Sequence, residues 1–176
     1  MTTRAFSACQ RKYKMKIRYA ESRDGSEISP LIAKFRAHLS SLRGIKSKIT
    51  PRQCELEFQE FSAPHFRVFA AETEGKIGGY IVCKIDEPCV WVEQLFVEEK
   101  FRRKGLASAL FGQAEKLAAS FGEETVYNYI HPNNQAIISF LAKKGYNVLN
   151  LIEIRKKFKN ESASAKIDLG GNEFNY

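Results

Sequence analysis

Between Phe66 and Val97 the apolar and polar positions fall into three stretches of strand length, Phe66–Glu72, Ile77–Ile85 and Val90–Val97. Glu74-Gly75 divides the first pair and Asp86-Glu87-Pro88 the second. Runs of β-prone residues separated by turn formers predict three strands joined as hairpins. The period changes on either side of them. Ile28, Leu31, Ile32, Phe35, Leu39 and Leu42 recur at helical spacing. They predict a helix that starts near Asp24, Ser26 or Ser29 and tolerates Pro30 only in its first turn. Thr50-Pro51-Arg52-Gln53 predicts a second helix, with Thr50 as cap, Pro51 at the first helical position and Gln53 closing a capping box, and Pro64 ends it. Leu106, Leu110, Phe111, Ala114, Leu117, Ala118 and Phe121 mark a long amphipathic helix closed by Gly122. Met15–Tyr19 and Val126–Ile130 read as further strands, 134–144 as a short helix stopped by Gly145, and 148–158 as the last strand or strands. The predicted order is β-α-α-β-β-β-α-β-α-β.

Composition narrows the class. A chain of 176 residues with 44% hydrophobic residues suits one domain with a sizeable core. No apolar run approaches the ~18 residues of a membrane helix, so a soluble, cytoplasmic protein with no membrane partner is expected. Cys9, Cys54, Cys83 and Cys89 form no CxxC pair and stand at no metal-ligand spacing with histidine, so reduced thiols and no metal are expected. The net charge is +8. Residues 1–14 carry Arg4, Arg11, Lys12 and Lys14 without an acid, and are expected to be a basic, disordered extension. Residues 159–176 are polar and read as a mobile tail. The modest excess left on 15–158 suits a polyanionic small molecule; nucleic acid calls for a longer basic stripe with interleaved aromatics and is not expected as a partner.

Candidate chemistry lies at Arg102-Arg103-Lys104-Gly105-Leu106-Ala107, between a strand and a helix start. The first N–H groups of a helix have no partner inside it, and the helix dipole adds partial positive charge there. Gly105 lets a ligand approach the main chain. The pattern Arg/Gln-x-x-Gly-x-Gly/Ala, matched by Arg102, Gly105 and Ala107, resembles the pyrophosphate loop of the GCN5-related N-acetyltransferases (GNAT). A second segment, Asn133-Asn134-Gln135-Ala136 through Lys144-Gly145-Tyr146, is similar to that family's Asn-x-x-Ala motif followed by a Tyr and then Gly-Phe. Counting from Ala136 selects Asn133; counting from Gly145 selects Asn134.

The resemblance covers 15–158 and implies an α/β fold of mixed α+β kind, with a mixed central sheet of roughly six to seven strands flanked by about four helices. It implies acetyl-CoA as co-substrate, held through Arg102, Arg103, Lys104, Gly105, Leu106 and Ala107. The pantetheine arm would run along a bulged strand at Leu95, Phe96 and Val97 and near Asn133 or Asn134. It implies acetyl transfer to a primary amine of a small molecule or peptide, directly in a ternary complex. An alkylamine with a pKa of about 10.4 must lose a proton first. Glu93, which strand alternation puts on one face with Leu95 and Val97, is the candidate general base; His131 is a weaker one. Where many members carry a proton-donating Tyr, this chain has Phe140 or Leu141, depending on the count, and neither donates. Tyr127, Tyr129 or Tyr146 is a substitute. That departure keeps a non-catalytic acetyl-CoA-binding module as the alternative. Basic Arg43, Lys46 and Lys48 favour a neutral or acidic acceptor, and the oligomeric state stays open, a homodimer included.

Overall fold

The three alternating stretches fold as β2 (Phe66–Thr73), β3 (Lys76–Asp86) and β4 (Cys89–Val97), with β1 (Met15–Tyr19) added along β2. The computed structural model describes residues 14–46, 48–157, 159 and 165–175; all of the expected basic extension but Lys14 lies outside them. Strands β1 to β4 are antiparallel neighbours, and the two-residue β5 (Tyr127–Asn128) joins β4 in parallel. The sheet is therefore mixed, in the order β1-β2-β3-β4-β5. The two-residue turn Glu74-Gly75 has left-handed backbone at both positions, as a tight hairpin requires.

Among the described residues four α-helices accompany the strands: α1 (Gly25–Leu42), α2 (Pro51–Glu60), α3 (Leu106–Ser120) and α4 (Gln135–Ala142). The capping box at α2 forms as predicted. Thr50 Oγ1 accepts from the Gln53 N–H at 3.3 Å, and the Thr50 N–H donates to Gln53 Oε1 at 2.8 Å. Helix α1 starts at the first of the expected positions, with Asp24 as its N-cap, and departs from expectation at Pro30. It enters at Gly25, directly after a 3₁₀ turn at Ser22–Asp24, so Pro30 stands in its second turn. Ser26 and Pro30 are both exposed, so the carbonyl that Pro30 leaves without an N–H faces water.

Strand alternation divides the core between the two faces. Ile28, Leu31, Ile32, Cys54 and Phe58 of α1 and α2 pack with Val68, Ala70, Tyr80, Val82 and Phe96. Leu106, Leu110, Phe111, Ala114 and Ala118 are the buried residues of α3, which packs on β3 and β4. Each large side chain removed from water contributes roughly 1.5–3 kcal/mol.

Two bulges interrupt this regular sheet. Ala71 faces Gly79 and Glu72 faces Ile77, which leaves Gly78 as the extra residue of β3. Val82 faces Gln94 and Cys83 faces Val92, which leaves Glu93 as the extra residue of β4. A bulge resets the alternation of its strand. Trp91, opposite Lys84, therefore shares a face with Gln94, opposite Val82.

The chain divides into two compact units, residues 1–138 and 139–176. In the second, residues 166–175, read from sequence as tail, form a hairpin of β6 (Lys166–Leu169) and β7 (Asn172–Asn175). Residues 148–157, predicted as strand, contain no helix or strand, and Val148 is 87% exposed. An apolar run becomes a strand only where another strand accepts its hydrogen bonds. The fold as a whole is the mixed α/β arrangement expected, with five strands in the main sheet and two in the hairpin among the described residues.

Candidate active site

After Val97 the chain makes a 3₁₀ turn at Glu99–Phe101, runs through the basic loop and enters α3. Several contacts hold this loop from beneath. The Glu98 N–H donates to the Gly78 carbonyl at 2.9 Å. Phe101 is buried against Gly78, where a Cβ would lie 2.6 Å from its ring. The bulge at Gly78 and its missing side chain together make room for this ring. Arg102 Nε donates to the Val97 carbonyl at 3.0 Å, and its guanidinium carbon lies 5.8 Å from the centre of the Phe96 ring. Lys34 of α1 pairs with Glu98, and with Lys100 it holds the Glu98 carboxyl below the usual carboxylate range.

The loop opens onto solvent at the start of α3. Gly105 is the N-cap residue at φ 87°, and a side chain there would meet nothing within 4 Å. The first intrahelical bond runs from the Ala109 N–H to the Gly105 carbonyl. Helix geometry therefore leaves the N–H groups of Leu106, Ala107 and Ser108 without a partner in the helix. Leu106 is itself buried, while Gly105 before it is exposed. Arg103 takes left-handed backbone (φ 59°), which costs a non-glycine residue about 1–2 kcal/mol. Arg102 and Arg103 are exposed, and the Lys104 ammonium sits 5.6 Å from the Phe101 ring centre.

Beside the loop, β4 and β5 part company. They pair only through Trp91–Tyr127 and Val92–Asn128. From Gln94 to Val97, strand β4 is registered with β3 alone, and the bulge residue Glu93 is registered with neither neighbour. Leu95 is half-buried, Phe96 and Val97 are buried, and the Phe96 ring packs at 6.4 Å on Phe35 of α1. Glu93 is half-exposed and is itself the bulge residue, so the regular alternation that grouped it with Leu95 and Val97 is interrupted at that position.

Asn133 and Asn134 have different partners. Asn134 Oδ1 accepts from the Ile137 N–H at 3.4 Å in the first turn of α4. Asn133 Nδ2 donates to the Leu42 carbonyl at 3.0 Å and ties the loop after β5 to the end of α1. His131 Nδ1 accepts from the Asn133 N–H at 3.2 Å; burial, then the Arg43 charge, lowers the pKa of its imidazole. Phe140 lies on α4 and is half-buried. Tyr129 stacks on Trp91 at 4.6 Å and Tyr127 at 4.8 Å.

A polar chain next to the bulge has no local signature in the sequence. Tyr80 OH donates to Gln94 Oε1 at 2.7 Å, Gln94 Nε2 donates to Glu57 Oε1 at 2.5 Å, and Arg36 clasps the Glu57 carboxylate through Nε and Nη2. Burial raises the Tyr80 phenol well above its ordinary pKa. These four residues come from α1, α2, β3 and β4, so only the tertiary fold unites them. Gly78 did have a signal, since paired glycines inside a strand mark a bulge or a close approach. A cavity of about 430 Å3 lies elsewhere, between the end of β1, α2 and β2, and shares no residue with the loop.

Comparison with known proteins agrees with this fold. The profile of the Acetyltransferase (GNAT) family matches residues 35–146. Among solved structures, the aminoglycoside N-acetyltransferase AAC(6')-Iy in complex with CoA is similar at a TM-score of 0.68 and 17% identity, over 82% of this chain and 95% of that one. A ribosomal-protein-alanine N-acetyltransferase from Brucella melitensis biovar Abortus 2308 follows at 0.63 and 15%, over 82% and 99%. The aminoglycoside antibiotic 6'-N-acetyltransferase AAC(6')-Ih from Acinetobacter baumannii gives 0.65 and 16%, also over 82% and 99%. At these identities the likeness is one of fold.

Proposed function

The chain belongs to the acetyltransferase (GNAT) family, and on that premise we propose that it transfers the acetyl group of acetyl-CoA to a primary amine. The observation that carries this reading is the start of α3. An N-cap glycine with open space around it, three unpaired main-chain N–H groups and a triplet of cations converge where β4 stands free of β5. That set fits a diphosphate joined to an extended arm. Residues Arg102 to Ala107 hold the phosphates in this proposal, and the free edge of β4 at Leu95–Val97 takes the arm. Acetyl-CoA supplies a thioester whose carbonyl carbon accepts the amine nitrogen while its C–S bond breaks.

The rest falls to the chain. Glu93 takes a proton from the incoming ammonium group in this proposal, directly or through water; it is half-exposed and stands at the bulge directly after the last residue of β4 that pairs with β5. Glu57 is engaged by Arg36 and Gln94 and is left to positioning. Phe140 and Leu141 cannot donate a proton, so the leaving thiolate, with an ordinary thiol pKa of about 8.5, needs Tyr127 or Tyr129 or only water. We place the acetyltransferase domain at 15–158 and the reaction in the cytoplasm, in keeping with the free thiols of Cys54, Cys83 and Cys89.

The test has two stages. Acetyl-CoA at about 100 times its Kd should stabilise the protein by about 2.7 kcal/mol, read as a rise in melting temperature. Thiol release with a panel of primary amines should then show turnover, reduced at least tenfold in Glu93→Gln. No rise in melting temperature overturns the assignment. A rise without turnover on any amine favours the non-catalytic binding module, which the missing Tyr supports.

A further inference from the structure

A small cavity of about 230 Å3 lies between the C-terminal half of α1 and the segment that leads into α2, lined by Arg36, Leu39, Ser40, Arg43, Lys48 and Ile49. Three of the six lining residues are cations and none is an acid. Arg36 is neutralised by Glu57. Arg43 and Lys48 have no acidic partner within ion-pair distance among the described residues. Two uncompensated cations in one concavity make a site for an anion.

The position of the cavity connects it to the proposed reaction. Its Arg36 wall is joined through Glu57 to Gln94, the residue after Glu93 on β4. Its Arg43 side acts on His131 in the loop after β5, and that loop is tied to Leu42 by Asn133. Both connections lead from the cavity towards the strands that separate, β4 through Gln94 and the loop after β5 through His131 and Asn133. Drug-sized ligands occupy clefts of about 300–1,000 Å3, so this one suits a single end group and not a whole acceptor.

Resting on the acetyltransferase reading, we propose that the acceptor is a small amine carrying a carboxylate or phosphate, and that Arg43 and Lys48 bind this anionic group. The amine then extends toward Glu93. The same two charges oppose acceptors that bring several ammonium groups. A charge-assisted contact is worth about tenfold or more in affinity, enough to set a preference between otherwise equal amines.

The experiment uses the full chain saturated with coenzyme A and measures acceptor binding by calorimetry. O-phosphoethanolamine is compared with ethanolamine, and β-alanine with propylamine, so that the two arms separate phosphate from carboxylate. Kanamycin is the polycationic control. At least one amine that carries an anionic group should bind tenfold or more tightly than its counterpart without that group and more tightly than kanamycin. The double variant Arg43→Gln/Lys48→Gln should bring that ratio to within threefold, with circular dichroism confirming that it is folded. Equal binding within both pairs, tighter binding of kanamycin, or a ratio that survives the double substitution overturns the proposal. The melting shift with coenzyme A is recorded alongside. Its presence with no anion preference removes this inference alone, and its absence removes the acetyltransferase reading as well.

Discussion

Gly105 and Arg103 carry the left-handed backbone that shapes the loop, and only Arg103 is strained by it. Alanine at Gly105 meets no steric obstacle from neighbours, yet it must adopt φ 87°. Gly105→Ala should therefore cost about 1–2 kcal/mol in urea unfolding and weaken acetyl-CoA binding, because relaxing φ re-aims the first turn of α3. Two other residues give the protein a stepwise response to acid. Burial lowers the His131 pKa, so the unfolded chain binds that proton more readily. Its contribution is intact above an unfolded value of about 6.5 and is lost as the pH falls below it. Asp24 is buried and accepts from Arg18 Nη1 at 2.6 Å, Arg18 Nη2 at 2.9 Å and the Glu21 N–H at 2.7 Å. Chiefly through Arg18, its carboxyl is held below the ordinary range, so its contribution is present above about 3.9 and disappears below that. Unfolding midpoints measured from pH 8 to pH 3 should fall in two stages. His131→Asn should remove the upper stage. Asp24→Asn should reduce the lower, to which Glu98 also contributes, and cost about 2 kcal/mol near neutral pH. At this scale the sequence showed which residue types met a ligand's needs but not where a bulge would fall. Glu93 was legible as an acid on β4 and illegible as the residue without a partner, because register depends on β3 as much as on β4. The two asparagines were likewise inseparable until one was seen to cap α4 and the other to reach Leu42.

Among the elements, α1 tolerates a proline that its own pattern argues against. Pro30→Ala restores a hydrogen bond to the Ser26 carbonyl on an exposed face and should stabilise the protein by about 1–3 kcal/mol in urea titration. Gly78→Ala acts in the opposite direction. Its new Cβ meets the Phe101 ring at 2.6 Å, so stability should fall by about 1–3 kcal/mol and the loop should shift with the ring. Elements governed by local signals were read closely. The cap of α2, the turn at Glu74-Gly75 and the stop of α3 before Gly122 each depend on one or two residues whose backbone preferences act alone. Elements that need a distant partner were misjudged. β5 shrinks to two residues because β4 leaves it after Val92, and the run from Val148 to Ile154 stays exposed without a neighbouring strand.

The whole molecule carries a net charge of +8 with a sequence pI near 9.3. A polyanion such as acetyl-CoA is drawn to such a surface, so its association rate in stopped-flow fluorescence should fall as sodium chloride rises from about 0.05 M to 0.5 M, where the Debye length shortens from roughly 14 Å to 4 Å. No helix among the described residues is long and apolar enough to cross a membrane. The global arrangement, hairpin strands first and a helical crossover to a parallel strand afterwards, followed from the order of periodicities along the chain, because topology admits few ways to connect them. The Phe101 ring resting on Gly78 bears on recombination. A chimera whose crossover point lies between these two positions inherits the basic turn from one parent and its seat from the other. Any parent with a side chain at the seat will then lift the turn, however faithfully the turn itself is copied, so the two segments have to be inherited together.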